Sequence, residues 1–358
     1  MAPNETKKIF ILRNNDLGDV LLTTPLVRGL KKNFPKAKVF MGVGDWARPL
    51  VEKNPDLDGL LKINAPWHNK QNCRFPANSP RTFLEGLLYV LISRESRFLR
   101  EQKYTHGVDV LGSRQGSWLL LRGGIPRRFG VRGYAGGDKT CEQCVDFVEN
   151  CKVAEAALAF LPLLGGQKKV EPRPILPLNN TELEEAERNW GKATESSKRI
   201  IVAPGAGFPE KCWGDHRFSQ LVDLLLKHSK HKIRVIGSTK DRDRISIDSG
   251  GEIASRIKNY CGKLSLRQSA ALTSASDFVI SNSSLAMHLA GAFKIPSLTL
   301  LGDYYESAKL HHQQWGYKEG LVLGKEYSNG IKALISPQDA FREFSNHIYY
   351  SESMLPNN

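Results

Sequence analysis

Short apolar runs alternate with segments of helical periodicity along most of this chain. In the first half, short apolar-rich stretches predict strands at residues 7–13, 38–43, 60–63, 108–111 and 125–131, and the unbroken run Ile9-Phe-Ile-Leu12 predicts that the first is a buried parallel strand. Helical spacing predicts helices from residue 20 as far as Pro35, and at 46–53, 81–104, 117–121 and 141–164. Residues 66–80 are polar and rich in Asn and Pro, which predicts an exposed loop. This order of elements is typical of an α/β domain.

The second half of the chain repeats the alternation. Strands are predicted at 199–203, 232–237, 277–281 and 296–301, and helices at 182–190, 217–229, 241–257, 265–274, 284–293 and 341–348. Between the halves, residues 165–177 contain paired glycine and repeated proline, which interrupt both periodicities and indicate a linker. The length of 358 residues is also more than a single hydrophobic core usually supports.

We therefore predict an α/β protein with two Rossmann-like domains, at residues 1–170 and 171–337. A C-terminal helix and tail at 338–358 follow, and they could pack back on the first domain. Open parallel sheets bind ligands at the carboxyl ends of their strands. Two such sheets facing each other therefore predict a ligand cleft between them.

The segment 81–104 combines an apolar stripe with a basic end. The apolar residues at helical spacing are Phe83, Leu84, Leu87, Leu88, Leu91, Ile92, Phe98 and Leu99. The basic residues Arg94, Arg97, Arg100 and Lys103 gather toward the end of the segment. One interpretation is a helix packed on the core, with cations near the negative end of its dipole. The other is a helix that lies on a membrane surface.

Composition narrows the compartment and the partners. The chain is 41% hydrophobic and has a formal net charge of +14. The apolar run near the N-terminus is too short for a signal peptide, and no run approaches the roughly 18 residues of a spanning helix. We therefore expect a cytoplasmic protein. The positive charge predicts an anionic partner, for which nucleic acid, a phosphorylated small molecule and an acidic membrane surface are candidates.

Six cysteines occur without an export signal, which favours reduced thiols over a disulfide framework. Cys141, Cys144 and Cys151 include one C-x-x-C pair and could hold a metal. The second pair that would make this pattern specific is missing, so no metal and no cofactor is predicted.

The segment 203–213 (Ala-Pro-Gly-Ala-Gly-Phe-Pro-Glu-Lys-Cys-Trp) joins a predicted strand to a predicted helix. Its glycines, Gly205 and Gly207, leave backbone N–H groups accessible, and Lys211 adds a positive charge. A second predicted strand ends in Ser281-Asn-Ser-Ser284 directly before a helix. Two such loops predict a site for a nucleoside diphosphate. The alternative is an ordinary strand-to-helix loop with a solvated lysine.

Three further basic residues lie beside a glycine-rich loop at 132–138. Arg127, Arg128 and Arg132 could clamp an anionic acceptor, or they could form a solvated basic rim. Asn15, in the turn after the first strand, is a fourth candidate for acceptor binding.

Three segments together resemble the lipopolysaccharide heptosyltransferase family. They are Leu17-Gly-Asp-Val-Leu-Leu-Thr-Thr-Pro25, Pro204-Gly-Ala-Gly-Phe-Pro-Glu-Lys-Cys-Trp213 and Ser281-Asn-Ser-Ser-Leu-Ala-Met-His288. The resemblance covers about residues 8–348 and is weakest between 66 and 165. It implies the GT-B architecture, with the donor bound mainly by the second domain and the acceptor entering from the first. It also implies inverting transfer of heptose from ADP-heptose, without an obligatory metal, to an anionic saccharide or lipid-linked acceptor.

The resemblance assigns Asp19 as the candidate general base. An inverting displacement needs a carboxylate to accept the proton of the acceptor hydroxyl. Asp16-Leu-Gly-Asp19 can also be interpreted as a helix cap, with Asp16 at the N-cap and Asp19 at the third helical position.

The candidate donor-binding residues lie in the second half. Lys211 matches the diphosphate lysine of the family, and helix N-terminal amides at Ser283 and Ser284 would share its task. Asp241 would bind the ribose hydroxyls or serve as a helix N-terminal charge, and Leu264 would pack on adenine. Gly205 belongs to the phosphate loop. His288 is expected to be a packed helix residue rather than a ligand.

Two departures from the family pattern affect the expected donor site. The family usually has Asp, a small residue and Gly where this chain has Ser283, Ser284 and Leu285. It usually has Gly-Pro-Thr where this chain has Gly302-Asp-Tyr-Tyr305. Because both changes lie near the expected sugar and phosphates, the resemblance does not identify the donor sugar.

Other classes of protein remain as alternatives. A non-catalytic nucleotide-sugar binder or scaffold would share these loops. A nicotinamide-dependent oxidoreductase is disfavoured because no G-x-G-x-x-G follows a predicted strand. Nucleic acid is not an expected partner, since no basic strand face with interleaved aromatic residues accompanies the charge.

Overall fold

The computed structural model describes residues 6–76, 79–192, 197–247, 250–328 and 331–353. The chain divides into two compact units, Met1–Pro177 and Leu178–Asn358. The boundary falls at the end of the predicted linker. Each unit is built around one six-stranded sheet in which all the neighbouring strands are parallel.

The first unit alternates strands and helices. Its strands are β1 (Lys8–Leu12), β2 (Lys38–Val43), β3 (Gly59–Lys62), β4 (His106–Asp109), β5 (Arg127–Arg132) and β6 (Gln143–Asp146). Its helices are α1 (Leu17–Leu21), α2 (Thr24–Asn33), α3 (Pro80–Ile92), α4 (Arg94–Glu101), α5 (Arg114–Arg122), α6 (Val153–Leu158) and α7 (Phe160–Leu163). The strand order is β3-β2-β1-β4-β5-β6.

The second unit repeats this plan. Its sheet strands are β7 (Arg199–Ala203), β8 (Lys232–Val235), β9 (Ile257–Asn259), β10 (Phe278–Ser281), β11 (Ser297–Leu300) and β12 (Gly320–Leu323), and β13 (Lys325–Ser328) and β14 (Ile331–Leu334) pair antiparallel. Its helices are α8 (Asn180–Trp190), α9 (Asp215–His228), α10 (Gly251–Ser255), α11 (Leu266–Ser274), α12 (Leu285–Phe293), α13 (Ala308–Trp315) and α14 (Pro337–Ser353). The strand order is β12-β11-β10-β7-β8-β9.

Both sheets therefore have the doubly wound order, and the chain reverses direction across each sheet once. The reversal lies between β1 and β4 in the first unit and between β7 and β10 in the second. At such a point the two connecting loops leave in opposite directions, so a crevice opens at the carboxyl ends of the two strands. These two crevices are where ligand-binding residues are expected.

The central strands are buried on both faces, as parallel strands covered by helices must be. In β7, Ile200 and Val202 pack in one core cluster and Ile201 and Ala203 in the cluster on the opposite face. Burial of both faces explains why β7 has a continuous apolar sequence instead of an alternating one.

Helix α14 packs in the core of the second unit. Phe344 and Ile348 are buried there, and the Phe344 ring meets the edge of Phe278 at a centroid distance of 4.9 Å. The part of 338–358 whose packing the structure gives thus lies on the second unit, whereas packing on the first domain was the possibility raised from the sequence. Residues 354–358 lie outside the described ranges.

The prediction of a single helix at 81–104 is wrong, because α3 ends before Ser93 and α4 begins after it. Ser93 has an extended backbone and its Oγ atom accepts a hydrogen bond from the Ser96 N–H at 3.0 Å, which caps α4. The Ser96 hydroxyl in turn donates to the Val90 carbonyl at 2.6 Å. Two serines three residues apart therefore end one helix and start the next.

Other differences arise from short edge elements. The helix predicted at 141–164 contains the edge strand β6, which is too short and too exposed to give a continuous apolar run. Among the described residues of the helix predicted at 241–257, only Gly251–Ser255 is α-helical, and its last residue, Ile257, begins the short edge strand β9. Residues 46–53 form only a short turn around Arg48–Leu50. The predicted exposed loop 66–80 is wrong at Trp67 and Asn69, which are buried.

Candidate functional site

The phosphate loop of the second unit is fastened to the next strand by Asn282. This residue follows β10 and is fully buried. Its Oδ1 atom accepts a hydrogen bond from the Trp213 N–H at 2.9 Å, and its Nδ2 atom donates to the Pro204 carbonyl at 2.5 Å. One side chain thus holds both ends of the loop that connects β7 to α9. The loop is positioned at the crevice between β7 and β10.

Gly205 is required by the close approach of Asp241. A Cβ atom at position 205 would lie 2.4 Å from the Asp241 Oδ1 atom. The Asp241 carboxylate accepts hydrogen bonds from the Ser238 N–H and hydroxyl, at 2.8 and 2.7 Å, and from the Arg244 Nε–H at 2.8 Å. Asp241 therefore closes the turn after β8. Contact of Asp241 with a ribose stays a prediction.

Lys211 lies over three aromatic rings. Its ammonium nitrogen is 4.9 Å from the ring centroid of Phe208, 5.3 Å from that of Tyr304 and 5.5 Å from that of Tyr305. In the part of the chain that the structure describes, Lys211 forms no ion pair with a carboxylate. The rings fix the ammonium by cation–π attraction without neutralising it. The charge thus remains available to an anion.

The loop after β11 packs directly on the loop that carries Lys211. The Gly302 N–H donates to the Lys211 carbonyl at 3.3 Å, and the Tyr304 N–H donates to the Glu210 carbonyl at 2.9 Å. A Cβ atom at Gly302 would lie 2.3 Å from the Cys212 carbonyl oxygen. The departure from the family pattern at 302–305 therefore supplies two of the three rings around Lys211.

A second network centres on Ser283. Its hydroxyl oxygen accepts a hydrogen bond from the Tyr305 hydroxyl at 3.0 Å and lies 2.8 Å from the His311 Nε2 atom. Burial lowers the pKa of His311 to about 3, and the nearby charges of His288 and Lys211 act in the same direction. His311 is therefore neutral near pH 7. The Nδ1 atom of His311 is buried and has no hydrogen-bond partner among the described residues.

Sequence reasoning missed Tyr305 and His311 as members of this site. The signal for Tyr305 was the Tyr-Tyr pair after β11, which stood out only as a departure. His311 lies on α13, a helix that the periodicity did not predict. His288 is confirmed as a packed helix residue, since it is buried in α12 and its Nδ1 atom lies 2.9 Å from the Tyr317 hydroxyl.

The N-terminus of α12 presents uncapped backbone. Ser284 is the N-cap residue, with an extended backbone, and its side chain makes no capping hydrogen bond. The first amide groups of a helix carry partial positive charge and bind anions when no side chain satisfies them. This helix start and Ser283 follow β10 directly. Leu264 lies after β9, half-buried against the core cluster that includes Trp190 and Ile236.

In the first unit, Asp19 is held by Arg13. The Arg13 Nη2 atom donates to the Asp19 Oδ1 atom at 3.0 Å, and their side chains are 9% and 28% exposed. Asp16 occupies the N-cap position of α1 but makes no capping hydrogen bond. Its carboxylate instead accepts from the Lys70 N–H and lies 3.1 Å from the Lys70 ammonium. The capping arrangement that would have explained both acids is therefore not formed.

Asn14 and Asn15 tie the end of β1 to the segment after β3. The Asn14 Nδ2 atom donates to the Trp67 carbonyl at 3.2 Å, and the Asn15 Nδ2 atom donates to the His68 carbonyl at 2.8 Å. The Asn15 Oδ1 atom is buried and has no hydrogen-bond partner within the described ranges. Asn15 is thus close to Asp19 in the chain and retains an acceptor oxygen.

Asp109 ends β4, the strand beside β1. Burial raises the pKa of this carboxyl to about 6, against the opposing effect of hydrogen bonds from the backbone N–H groups of Gly112 and Ser113. Asp109 therefore shapes the turn into α5. It lies beside Arg13, whose charge also stabilises the ionised form.

The three candidate arginines do not form one cluster. Arg127 begins β5 and Arg132 ends it, so about 16 Å of extended strand separates them. Arg128 is engaged locally, because its Nε atom donates to the Thr140 carbonyl at 2.6 Å and its Nη2 atom pairs with Glu142 at 2.5 Å. The three side chains therefore do not converge on one point, and contact of any of them with an acceptor stays a prediction. Arg132 lies at the carboxyl end of the strand, in an exposed pair with Asp146.

Two absences concern the described residues alone. No group of three or more His, Cys, Asp or Glu side chains there is arranged to hold a metal ion. None of the helices in these ranges is long and apolar enough to cross a membrane.

Two doubly wound sheets, with a lysine and an uncapped helix start at one reversal point and a fixed acid at the other, are the architecture of a GT-B glycosyltransferase. The family model "Glycosyltransferase family 9 (heptosyltransferase)" matches residues 92–328, and the chain belongs to this family. The resemblance to this family is thereby confirmed, and the similarity to solved heptosyltransferase structures confirms the GT-B fold class.

Individual relatives agree with this assignment. Lipopolysaccharide heptosyltransferase 2 of Escherichia coli K12 is 23% identical over 320 residues, which cover 82% of each chain. The structure of E. coli ADP-heptose lipopolysaccharide heptosyltransferase II is similar with a TM-score of 0.74 and 20% identity, over 96% of this chain and 99% of the other. E. coli heptosyltransferase WaaC with ADP gives a TM-score of 0.69 and 14% identity, over 97% and 100%.

Proposed function

We propose that this protein transfers heptose from ADP-heptose to an anionic acceptor of the lipopolysaccharide-core type, with inversion and without a metal. The relatives that support this proposal are named as lipopolysaccharide heptosyltransferases, and one similar structure was solved with ADP. The reaction would take place in the cytoplasm, at the membrane face where a lipid-linked acceptor is exposed. Nucleic acid is not a partner in the proposed reaction.

Lys211 carries the donor half of the proposal. The leaving group is a nucleoside diphosphate whose negative charge grows as the glycosidic C–O bond breaks. An ammonium fixed over three rings and left without a carboxylate partner in the described residues can stabilise that charge. The amides at Ser283 and Ser284 would bind the same diphosphate. Together with Lys211 they would stabilise the charge that a metal ion stabilises in other transferases.

Asp19 carries the acceptor half. In one displacement, the acceptor hydroxyl oxygen attacks the anomeric carbon, the bond to the β-phosphate oxygen breaks, and the hydroxyl proton passes to the Asp19 carboxylate. The products are the glycoside, ADP and protonated Asp19. The hydrogen bond from Arg13 leaves the second carboxylate oxygen available for the hydroxyl and fixes the direction of the side chain.

The remaining donor and acceptor contacts follow the same division. We assign Asp241 to the ribose, Leu264 to adenine and Gly205 to the phosphate loop, and we assign Asn15 and Arg132 to the acceptor. Arg127 and Arg128 are not part of this assignment, because their strand position removes them from the carboxyl ends of the sheet.

The deciding experiment measures ADP release from ADP-heptose with and without acceptor, together with NMR of the product's anomeric configuration. We expect acceptor-dependent release and inversion. Asp19→Asn should abolish turnover while donor binding by calorimetry is kept, and Asp16→Asn serves as the matched control because its carboxylate pairs with Lys70. Donor binding without turnover in the unaltered protein would instead favour a non-catalytic binder.

A panel of ADP, UDP and GDP sugars tests the donor in the same assay. The residues Ser283 and Tyr305 differ from the family pattern at the expected position of the sugar and phosphates. Turnover with a different sugar and not with ADP-heptose would retain the glycosyltransferase and replace the donor.

A further inference from the structure

The outward face of α3 is almost entirely apolar. Five large apolar side chains of this helix are exposed, and we name them the apolar patch: Phe83 (39%), Leu84 (54%), Leu88 (46%), Leu91 (47%) and Ile92 (64%). The other exposed residues of α3 are Pro80 and Arg81. A surface helix normally presents polar residues to water, so a contiguous face of this kind indicates a binding surface.

Basic residues border the C-terminal end of the apolar patch. The Arg97 Nη2 atom donates to the Ile92 carbonyl at 3.0 Å, and the Arg122 Nη2 atom donates to the Leu91 carbonyl at 3.4 Å. Arg94 is exposed two residues after Ile92. These three arginines form the basic rim. Because two of them bond to the last carbonyls of α3, the rim lies directly against the patch.

The helices beside α3 extend the same combination. Phe98 on α4 is exposed next to Arg97, and Leu121 on α5 is exposed next to Arg122. The exposed charged residues of α4 are three arginines and one glutamate. Aromatic contact between Phe83 and Trp118, at a centroid distance of 5.8 Å, packs α3 on α5. The surface is therefore built on supported helices.

We propose that the apolar patch and the basic rim dock this protein on an anionic phospholipid bilayer. Apolar side chains of an interfacial helix enter the boundary between headgroups and acyl chains, while arginines pair with lipid phosphates. The inference rests on the proposed function for its purpose, since docking would bring the enzyme to a lipid-linked acceptor. Of the two interpretations of residues 81–104, a helix packed on the core and a helix on a membrane surface, the proposal adopts the second.

Charge complementarity selects the bilayer over a second copy of this chain. In a two-fold dimer through the apolar patch, each basic rim would face either the partner's basic rim or the N-terminal end of the partner's α3, where Arg81 is the exposed charged residue of the helix. Like charges brought together at an interface oppose association. An anionic lipid surface instead satisfies the rim and the patch together.

The test is co-sedimentation of the full-length protein with vesicles. Vesicles of phosphatidylcholine with about one-third phosphatidylglycerol are compared with vesicles of phosphatidylcholine alone, at low and high salt. We expect binding to the anionic vesicles that weakens with salt. Leu88→Gln with Ile92→Gln, and separately Arg94→Gln with Arg97→Gln, should each weaken this binding roughly tenfold or more. Leu183→Gln, an exposed leucine on α8, should leave it unchanged.

Three results would overturn the inference. They are absence of vesicle binding by the unaltered protein, equal binding by the patch variant, or a dimer in solution that the patch variant dissociates. Turnover with a delipidated acceptor is measured in parallel. Vesicle binding without turnover contradicts the proposed function alone, and turnover without vesicle binding contradicts the docking surface alone.

Discussion

The Arg13 guanidinium donates a hydrogen bond to the Asp19 carboxylate across 3.0 Å, from the end of β1 to the first turn of α1. Arg13 is nearly buried and Asp19 is partly exposed. One carboxylate oxygen is therefore anchored in the protein, and the side chain is directed by a group that cannot itself accept a proton. In the proposed reaction, Arg13 is a positioning residue and Asp19 is the base.

Removing Arg13 should impair turnover through Asp19. We expect Arg13→Ala to lower kcat roughly 10- to 100-fold with little change in donor affinity, because the base loses its fixed orientation. Arg13→Lys should recover part of the loss. In the Asp19→Asn background, Arg13→Ala should add almost nothing, since residues that act as one unit are not additive. Steady-state kinetics on the unaltered protein and the four variants measure this, with the residual rate of Asp19→Asn as the baseline for the double variant. A fully additive double variant would contradict the positioning role.

Replacing Lys211 should weaken ADP binding. We expect Lys211→Met to raise the Kd for ADP roughly 10- to 100-fold, because the variant loses an ammonium close to the diphosphate. Tyr304→Leu keeps the charge but removes one ring, so its effect should be smaller. Isothermal titration at two salt concentrations measures both. Equal ADP affinity in Lys211→Met and the unaltered protein would remove the lysine from the site.

His288 should make stability depend on pH. Burial lowers the pKa of His288 to about 4, from an ordinary value near 6.5, and the Lys211 charge contributes. Between these values the unfolded chain binds a proton at this site and the folded protein does not. Folding stability should therefore fall as pH decreases from about 6.5 toward 4, with a slope of about 1.4 kcal/mol per pH unit for this group.

The measurement is urea unfolding of the unaltered protein and of His288→Gln at pH 7 and pH 5. In His288→Gln, the slope of the free energy of unfolding against pH should be smaller by the contribution of about one proton. Asp109 acts in the opposite sense, because its pKa is raised to about 6, so its contribution to stability declines as pH rises from about 4 to 6. Asp109→Asn should therefore steepen the overall dependence in that interval. Identical slopes in all three proteins would contradict both assignments.

Much of the fold could be predicted because central parallel strands are buried on both faces. The apolar runs of β1 and β7 gave both sheets, and the loops after them gave Asp19 and Lys211. Edge strands such as β6 and β9 are short and partly exposed, so they lack that signal. The break at Ser93 depends on side-chain capping, which periodicity does not report.

The candidate site was predictable where a residue follows a strand in the chain, and not where the site depends on packing. Lys211 could be proposed from its loop, but its three rings come from two segments that meet only in the folded unit. His311 reaches Ser283 from a helix 28 positions later. The local carbonyl partners of Arg128, at Thr140 and Ile125, could not be predicted from residue type.

Gly302 offers the sharpest test that the two loops around Lys211 act as one structure. A Cβ atom there would lie 2.3 Å from the Cys212 carbonyl oxygen and 2.6 Å from that of Glu210, and both are backbone atoms that a rotamer change cannot move. We expect Gly302→Ala to cost about 1–3 kcal/mol of stability and to weaken ADP binding, because the loop must shift away from Lys211. Gly250→Ala is the matched control, since a Cβ atom at Gly250 meets no atom of the described residues within 4 Å. Thermal unfolding with and without ADP measures both effects. If the two alanine variants unfold alike and bind ADP alike, the close packing of the loops does not support the site.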